Sequence, residues 1–324
     1  DMIRDHLEDS YRLLADMERW GVVFVKDGDG NGKIKRLAGR GKYGVITFFS
    51  TQLMDALRQA AQAAGVQQVN RVHVTDLLSR EGRVLGAAGF HTRSGDWYMF
   101  EAKSTIIATG STWYKGICPG QRDTSGDGFG MALRAGAELT GNDNDMTANA
   151  MPARIDAGPG MNKFVGEGGI FVNRHGERFM ENYNPTLKER SGLGLLTAFF
   201  AIEAKLGNTP IYLDLRKLGR DSMDRLHQVI PLPMRMFESV GAIQNGRFVD
   251  RIEWSSAAPV GRPGIWVERD MRTSLPGLWA CGEAATAAAV VTGLAAAGTS
   301  GDRAGRDAAS YARSADSLRP DPEQ

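Results

Sequence analysis

Residues 166–183 read GEGGIFVNRHGERFMENY. Glycines crowd the start of this run, and Arg174, His175 and Gly176 carry the chemistry of a tight hairpin turn. His175 sits at that turn and reads as solvated rather than catalytic. From residue 142 to about 259, Met, Asn and Arg become frequent and the rhythm of strands stops. Inside that stretch 190–204 reads as helix, IYLDL (211–215) as a short strand and about 221–229 as another helix, the pattern of an inserted domain.

The flanks read differently. Ile3, Leu7, Tyr11, Leu13, Leu14 and Met17 recur at helical spacing from the first residues, which suggests truncation at the N-terminus. Gly21 ends that helix and VVFV (22–25) reads as a strand. Two motifs follow that do not hold. Asp27, Asp29, Asn31 and Gly32 open like a calcium loop, but its twelfth position is Ala38, where a bidentate Glu is needed, so a solvated turn is expected. Gly39, Gly41 and Gly44 spell GxGxxG, but a charged segment precedes them and a β-type run (45–49) follows. A dinucleotide fingerprint needs a buried strand before and a helix after. The segment reads as a glycine-rich loop, with Lys35, Arg36, Arg40 and Lys42 on a solvated face. Ser50 or Thr51 can cap a helix to about 64. Strands follow, with turns at Glu81-Gly82 and Ser94-Gly95-Asp96, closing in STIIATG (104–110). An α/β pattern resumes at about 264 with GIWV, GLWACGE and an alanine-rich stretch to Tyr311.

Composition narrows the function. A net charge of +1 gives no electrostatic reason to bind nucleic acid or an anionic membrane. No apolar run reaches the ~18 residues of a membrane helix, so no direct membrane insertion is implied. Cys118 and Cys281 are too few for a disulfide framework or a four-cysteine cluster site, and the histidines lack metal-ligand spacing. A reducing, cytoplasmic compartment and no metal are expected.

Three segments occur in order: STIIATGSTWYKGICPGQRDTSGDGFGMALRAGAEL (104–139), the GEGG run, and RTSLPGLWACGEAA (272–285). They are similar to the strand-ATGG, T-x-x-TGDG and RAGA elements, the GEGGxLxNxxGERFM segment and the T-x-x-PGLYAAGE strand of succinate dehydrogenase/fumarate reductase flavoproteins. In the GEGG run Gly166, Glu167, Gly168, Gly169, Asn173, Gly176, Glu177, Arg178, Phe179 and Met180 match. The resemblance implies an α/β fold: a doubly wound FAD-binding domain lacking its first βαβ unit, in two parts (1–145 and 259–324), with an α+β capping domain inserted at 146–258. It implies FAD held by Ala108, Thr109 and Gly110, by Thr124, Ser125, Gly126, Asp127 and Gly128, and by Gly282 and Glu283, the last toward the ribityl hydroxyls. Gly298, Thr299 and Ser300 would offer the N–H groups of a helix start to the flavin pyrimidine ring. FFSTQLMDAL (48–57) resembles the adenylylsulfate reductase branch.

The dicarboxylate constellation does not carry over. The stretch 140–154, where an HPT motif is expected, has no histidine; Met161 and Asn162 replace a Thr-Glu pair; PVGRPGI (259–265) replaces HYTMGG; and GLAAAGTSG (293–301) lacks the arginine of NRLGGN. Two carboxylates need at least two placed cationic or donor groups. A small anion other than fumarate or succinate is therefore expected to exchange a hydride with flavin N5. Arg154, Arg190 and Arg262 are candidates to bind it, Arg190 and Arg262 as catalytic residues. With no cluster ligands here, the resemblance implies an iron–sulfur partner subunit, with any membrane association peripheral and through a partner. The alternative is a non-catalytic or split fragment acting as a scaffold.

Overall fold

The computed structural model describes residues 2–24, 34–37, 40–45, 51–112, 124–141, 150–155, 161–256, 264–285 and 293–316. Asp27, Asp29, Asn31, Gly32, Ala38, Gly39, Cys118 and Arg262 lie outside them.

Helix α1 (Met2–Arg19) buries Leu13 and Met17 and exposes Leu7 and Tyr11. Gly21 stops it as expected, its N–H donating to Glu18 O. Within 22–24 the expected strand reduces to one bridging residue, Phe24. Val22 and Phe24 bury instead with Met17 and Ala56, the latter on α2 (Thr51–Ala63). The glycine-rich loop is also corrected. Strand β2 (Arg40–Val45) contains Gly41 and Gly44 and pairs antiparallel with β1 (Ile34–Leu37), with Gly44 opposite Lys35. That ladder satisfies backbone groups a loop would leave to water.

Strands β3 (Val72–Arg80), β4 (Arg83–His91) and β5 (Trp97–Glu101) form an antiparallel meander. Its turns fall at the expected residues, with positive φ at Glu81, Gly82 and Gly95. Strand β6 (Thr105–Ile107), helix α3 (Asp127–Arg134) and β7 (Leu139–Thr140) follow. The RAGA motif is the stop of α3. Gly136 takes φ 95°, its N–H donates to Leu133 O, and Ala137 N–H donates to Ala132 O. This Schellman arrangement requires a left-handed residue, which glycine adopts without strain.

The middle of the chain supplies β8 (Ala150–Pro152), α4 (Met161–Gly166), β9 (Ile170–Val172), α5 (Met180–Tyr183), α6 (Leu193–Lys205), β10 (Ile211–Asp214), α7 (Arg220–Val229), α8 (Pro231–Ser239), β11 (Ile243–Gln244), β12 (Arg247–Phe248) and β13 (Ile252–Ser256). Strands β8, β13, β10 and β9 make one antiparallel sheet in that order. Helix α6 starts later than the expected 190 because Lys188–Arg190 forms a separate 3-10 turn, broken by Ser191 and Gly192 in extended conformation. A core of Phe164, Phe171, Leu196, Leu213, Met234, Phe237 and Trp254 belongs to this stretch alone. A second core joins both flanks: Leu77, Ile107, Phe129 and Ala132 pack with Ile265, Trp279, Ala304 and Ala308, the last four drawn from β14 (Gly264–Ile265), β15 (Leu278–Ala280) and α9 (Leu294–Ser314).

The GEGG run builds the first of these cores. Gly168 (φ 113°) ends α4 in another Schellman arrangement, Gly168 N–H to Val165 O and Gly169 N–H to Phe164 O. A Cβ on Gly169 would stand 2.7 Å from Leu215 Cδ2. Glu167 accepts from Arg225 Nη2 at 2.7 Å, and Glu189, almost fully buried, accepts from Arg178 Nε and Nη2 at 2.9 and 2.7 Å. Asn173 is buried; its Oδ1 accepts the N–H groups of His175 and Glu177, and its Nδ2 donates to Glu177 Oε2 and Glu203 Oε2. Glu203 also accepts from the Tyr183 hydroxyl at 2.6 Å. Burial, then the Glu203 carboxylate, pushes that phenol up to about 12. Truncating Asn173 takes its donor from Glu203 Oε2 and leaves that carboxylate only the Tyr183 hydroxyl of these two, so Asn173→Ala should cost about 2–3 kcal/mol in urea unfolding. Asn173→Asp should cost more, because it sets a third carboxylate against Glu177 and Glu203; a smaller loss for Asp than for Ala would refute this assignment.

Helix α1 lies along α9. A Cβ on Gly298 would overlap Leu13 Cδ2, so this glycine is the notch that admits α1. Charges rim the contact: Arg269 Nη2 donates to Asp5 Oδ1 at 2.6 Å, Arg303 Nη1 to Asp5 Oδ2 at 3.2 Å, and Arg303 Nε to Asp9 Oδ2 at 2.6 Å. The Arg269 hydrogen bond, aided by the Arg303 charge and opposed by burial, lowers the Asp5 pKa to about 2. A depressed carboxylate stabilises fully above its unfolded pKa of about 3.9 and loses that contribution as pH falls through its folded value. Thermal unfolding midpoints should therefore fall between about pH 4 and pH 2 more steeply in the parent than in Asp5→Asn. Equal slopes would remove Asp5 from the acid response.

Candidate cofactor site

Strands β6 and β15 run parallel, Leu278 opposite Thr105 and Ala280 opposite Ile107, and Cys281 N–H extends the ladder to Ile107 O at 3.0 Å. Their carboxyl ends therefore open side by side, the place where open α/β sheets bind ligands. From β6 emerge Ala108 and Thr109, exposed, then Gly110 (φ 78°), then Ser111 and Thr112, buried. From β15 emerge Cys281 and a 3-10 turn, Gly282–Ala285. Burial pushes the Cys281 thiol up, which disfavours the reactive thiolate.

The two strand ends are clasped by side chains. Ser111 Oγ donates to Glu283 Oε2 at 2.9 Å. Gly282 takes φ 63° and its N–H donates to Ser300 Oγ at 2.9 Å, while that hydroxyl donates to Ala296 O. A bridge between Thr112 and Ser125 draws the start of α3 onto the same edge. There Ser125 Oγ donates to Asp127 Oδ2 at 2.6 Å, and Asp127 opens α3, where a carboxylate suits the helix dipole. A Cβ on Gly126 would stand 3.1 Å from Thr112 Oγ1, and one on Gly128 would overlap Thr109 Oγ1 and stand 3.1 Å from Ile107 Cγ2.

The structure thus brings Ala108, Thr109, Gly110, Ser125, Gly126, Asp127, Gly128, Gly282 and Glu283 to one edge, with Thr124 leading into it. It places Gly298, Thr299 and Ser300 otherwise than expected. Helix α9 starts at Leu294 after Gly293, so the N–H groups of 298–300 already bond within the helix. Gly298 admits Leu13, Thr299 Oγ1 contacts His6 Nδ1 at 2.7 Å, and only Ser300 reaches the site, as a brace for Gly282. Arg190 is exposed in its turn and its guanidinium pairs with no acid among the described residues. Arg154, itself exposed, pairs with Glu253 Oε2 at 2.7 Å beside a cavity of about 480 Å³ lined by Phe200, Pro210 and Trp254. Reading residue types missed Ser111 and Thr112; their signal was two hydroxyls directly after the strand that delivers Gly110.

A buried hydroxyl without a partner costs free energy unless something satisfies it. Thr112 Oγ1 is such an atom, buried at the strand-end crevice. Together with the Glu283 carboxylate and the glycine turns, it fits a ligand rich in hydroxyls. No group of three or more potential ligand side chains that could hold a metal occurs among the described residues, and no described helix is long and apolar enough to cross a membrane.

Fold and crevice together define a dinucleotide-cofactor protein with mixed helix and strand. The chain belongs to the FAD binding domain family, whose signature matches residues 1–301, and its cofactor is FAD. Over 304 residues it is 28% identical to one chain of the fumarate reductase (CoM/CoB) of Methanothermobacter marburgensis, covering 87% of this chain and 52% of that one. It is 26% identical to the fumarate reductase flavoprotein subunit of Escherichia coli, covering 83% and 48%. The chain thus spans about half the length of these relatives. Its fold superposes on E. coli quinol fumarate reductase with a TM-score of 0.81 (22% identity, 98% of this chain and 58% of that one). It superposes on adenylylsulfate reductase of Archaeoglobus fulgidus with 0.69 (20% identity, 98% and 57%).

Because Gly128 seats α3 on the end of β6, Gly128→Ala should destabilise by about 1–3 kcal/mol through overpacking. Adding Thr109→Ala should recover most of that loss in denaturant titrations. A double variant no more stable than Gly128→Ala would mean that the close approach is not what the glycine serves.

Proposed function

We propose that the chain forms the FAD-holding and substrate-closing parts of an FAD-dependent oxidoreductase of the fumarate reductase type. The observation that carries this reading is the Ser111–Glu283 clasp at the ends of a parallel pair, beside the unpartnered hydroxyl of Thr112. Glu283, Thr112 and the glycine turns at 110, 126 and 282 hold the cofactor's polyhydroxyl chain, and the first turn of α3 takes a further oxygen acceptor. Bound FAD supplies a reversible hydride acceptor. Residues 1–145 and 259–324 make the FAD-binding part, and 146–258 make a cap; their separate cores support that division. The outer edge of β6 pairs with no strand among the described residues and Ile106 on it is exposed, which suits the docking of a nucleotide-binding βαβ unit.

The substrate is a small anion other than fumarate or succinate, held where cap and FAD-binding parts meet. Support comes from the sequence: no histidine in 140–163 or 257–265, and arginines at 190 and 262. Arg190, exposed in the 3-10 turn that precedes α6, is the catalytic candidate with a described place. Two cysteines in the whole chain leave electron exit to an iron–sulfur partner, at the membrane surface only through that partner. The test is an FAD titration of the full-length protein by flavin fluorescence quenching, with dye-coupled assays of succinate and fumarate. Saturable binding without either activity is expected. Absent binding would favour the scaffold reading, and succinate-dependent dye reduction would overturn the substrate assignment.

A further inference from the structure

We propose that Ser111 is a positioning residue for the cofactor: it presets the Glu283 carboxylate for the ribityl hydroxyls before FAD arrives. The proposal rests on the FAD-binding reading above. Ser111 is 5% exposed and follows Gly110 at the mouth of β6; Glu283 lies on the turn after β15, 172 residues away in sequence. Their 2.9 Å hydrogen bond is a side-chain link between these two strand ends at the point where they diverge. The ATGG element quoted above reads ATGS here at 108–111, and a glycine at 111 has no hydroxyl to give.

The physical effect is preorganisation. A glutamate side chain loses several rotamers when it is fixed, and a ligand that must fix it binds more weakly by that amount. Ser111 fixes the carboxylate from one side, and Ser300 fixes the backbone beneath it through Gly282. A carboxylate has about four lone-pair sites, and the Ser111 hydroxyl takes one of them, which sets the plane of the group. Thr112 completes the arrangement: its hydroxyl, buried and unpartnered, stands one residue along the same strand end.

The test uses the full-length protein and reads the FAD dissociation constant by fluorescence quenching, beside the melting temperature of the FAD-free protein. Ser111→Ala should weaken FAD about tenfold, or about 1.4 kcal/mol, with melting little changed. Ser111→Gly, a second route to the same loss, should behave alike, and Ser111→Thr, which keeps the hydroxyl, should stay within about twofold of the parent. In a Glu283→Ala background, the loss caused by Ser111→Ala should shrink to within about twofold, because the pair acts through the carboxylate. An unchanged dissociation constant in Ser111→Ala or Ser111→Gly, or an undiminished loss in the Glu283→Ala background, would overturn the proposal. Failure of the parent itself to bind FAD would overturn the underlying reading, and the parent titration separates the two cases.

Discussion

Three residue pairs between β6 and β15 hold the site together. A parallel pair this short gains little from its own hydrogen bonds and persists only where both faces are covered. Here the covering is the core in which Leu77, Val84, Ile107 and Phe129 from the first flank meet Leu278, Ala280, Ala304 and Ala308 from the last. Every residue at the crevice hangs from the ends of those two strands or from α3, which is stapled to them through Thr112 and Ser125. The chemistry at 108–112 and 282–285 is therefore only as well placed as a core built from both flanks of the chain.

Much of this was legible in the sequence because the marks are backbone marks. Gly136 and Gly168 stop helices, Glu81-Gly82 closes a hairpin, and Gly128 permits a helix to touch a strand; each requirement excludes most other residues, so each leaves a trace in a single sequence. The GEGG run, the most extensive match to the flavoprotein family, turns out to be architecture. Asn173 and Arg178 donate to buried acids, Glu167 is itself an acid with a buried side chain held by Arg225, and none of these bonds reaches the cofactor crevice. A long motif can thus identify a fold without naming a catalytic group.

What was not legible depends on the third dimension. The GLAAAGTSG stretch starts a helix as read, but the first turn opens at Leu294, so Gly298, which the resemblance assigned to the flavin, is instead a packing notch for Leu13. Gly41 and Gly44 looked like a loop because spacing does not reveal a strand partner. The partner of Arg154, Glu253, lies far along the chain, and the sequence carries no mark of that pairing. Ser111 went unnoticed because its partner is 172 residues distant, and hydroxyls carry no period.

Helix α9 serves two neighbours at once. One stretch of it, 298–303, receives α1 through Gly298, Thr299 and Arg303, while Ser300 on the next helical position grips the turn that carries Glu283. The helix that seats the opening helix of the chain is thus also the helix that braces the turn of Glu283. A substitution in 298–303 therefore bears on two contacts together, the seat of α1 and the brace on the turn of Glu283.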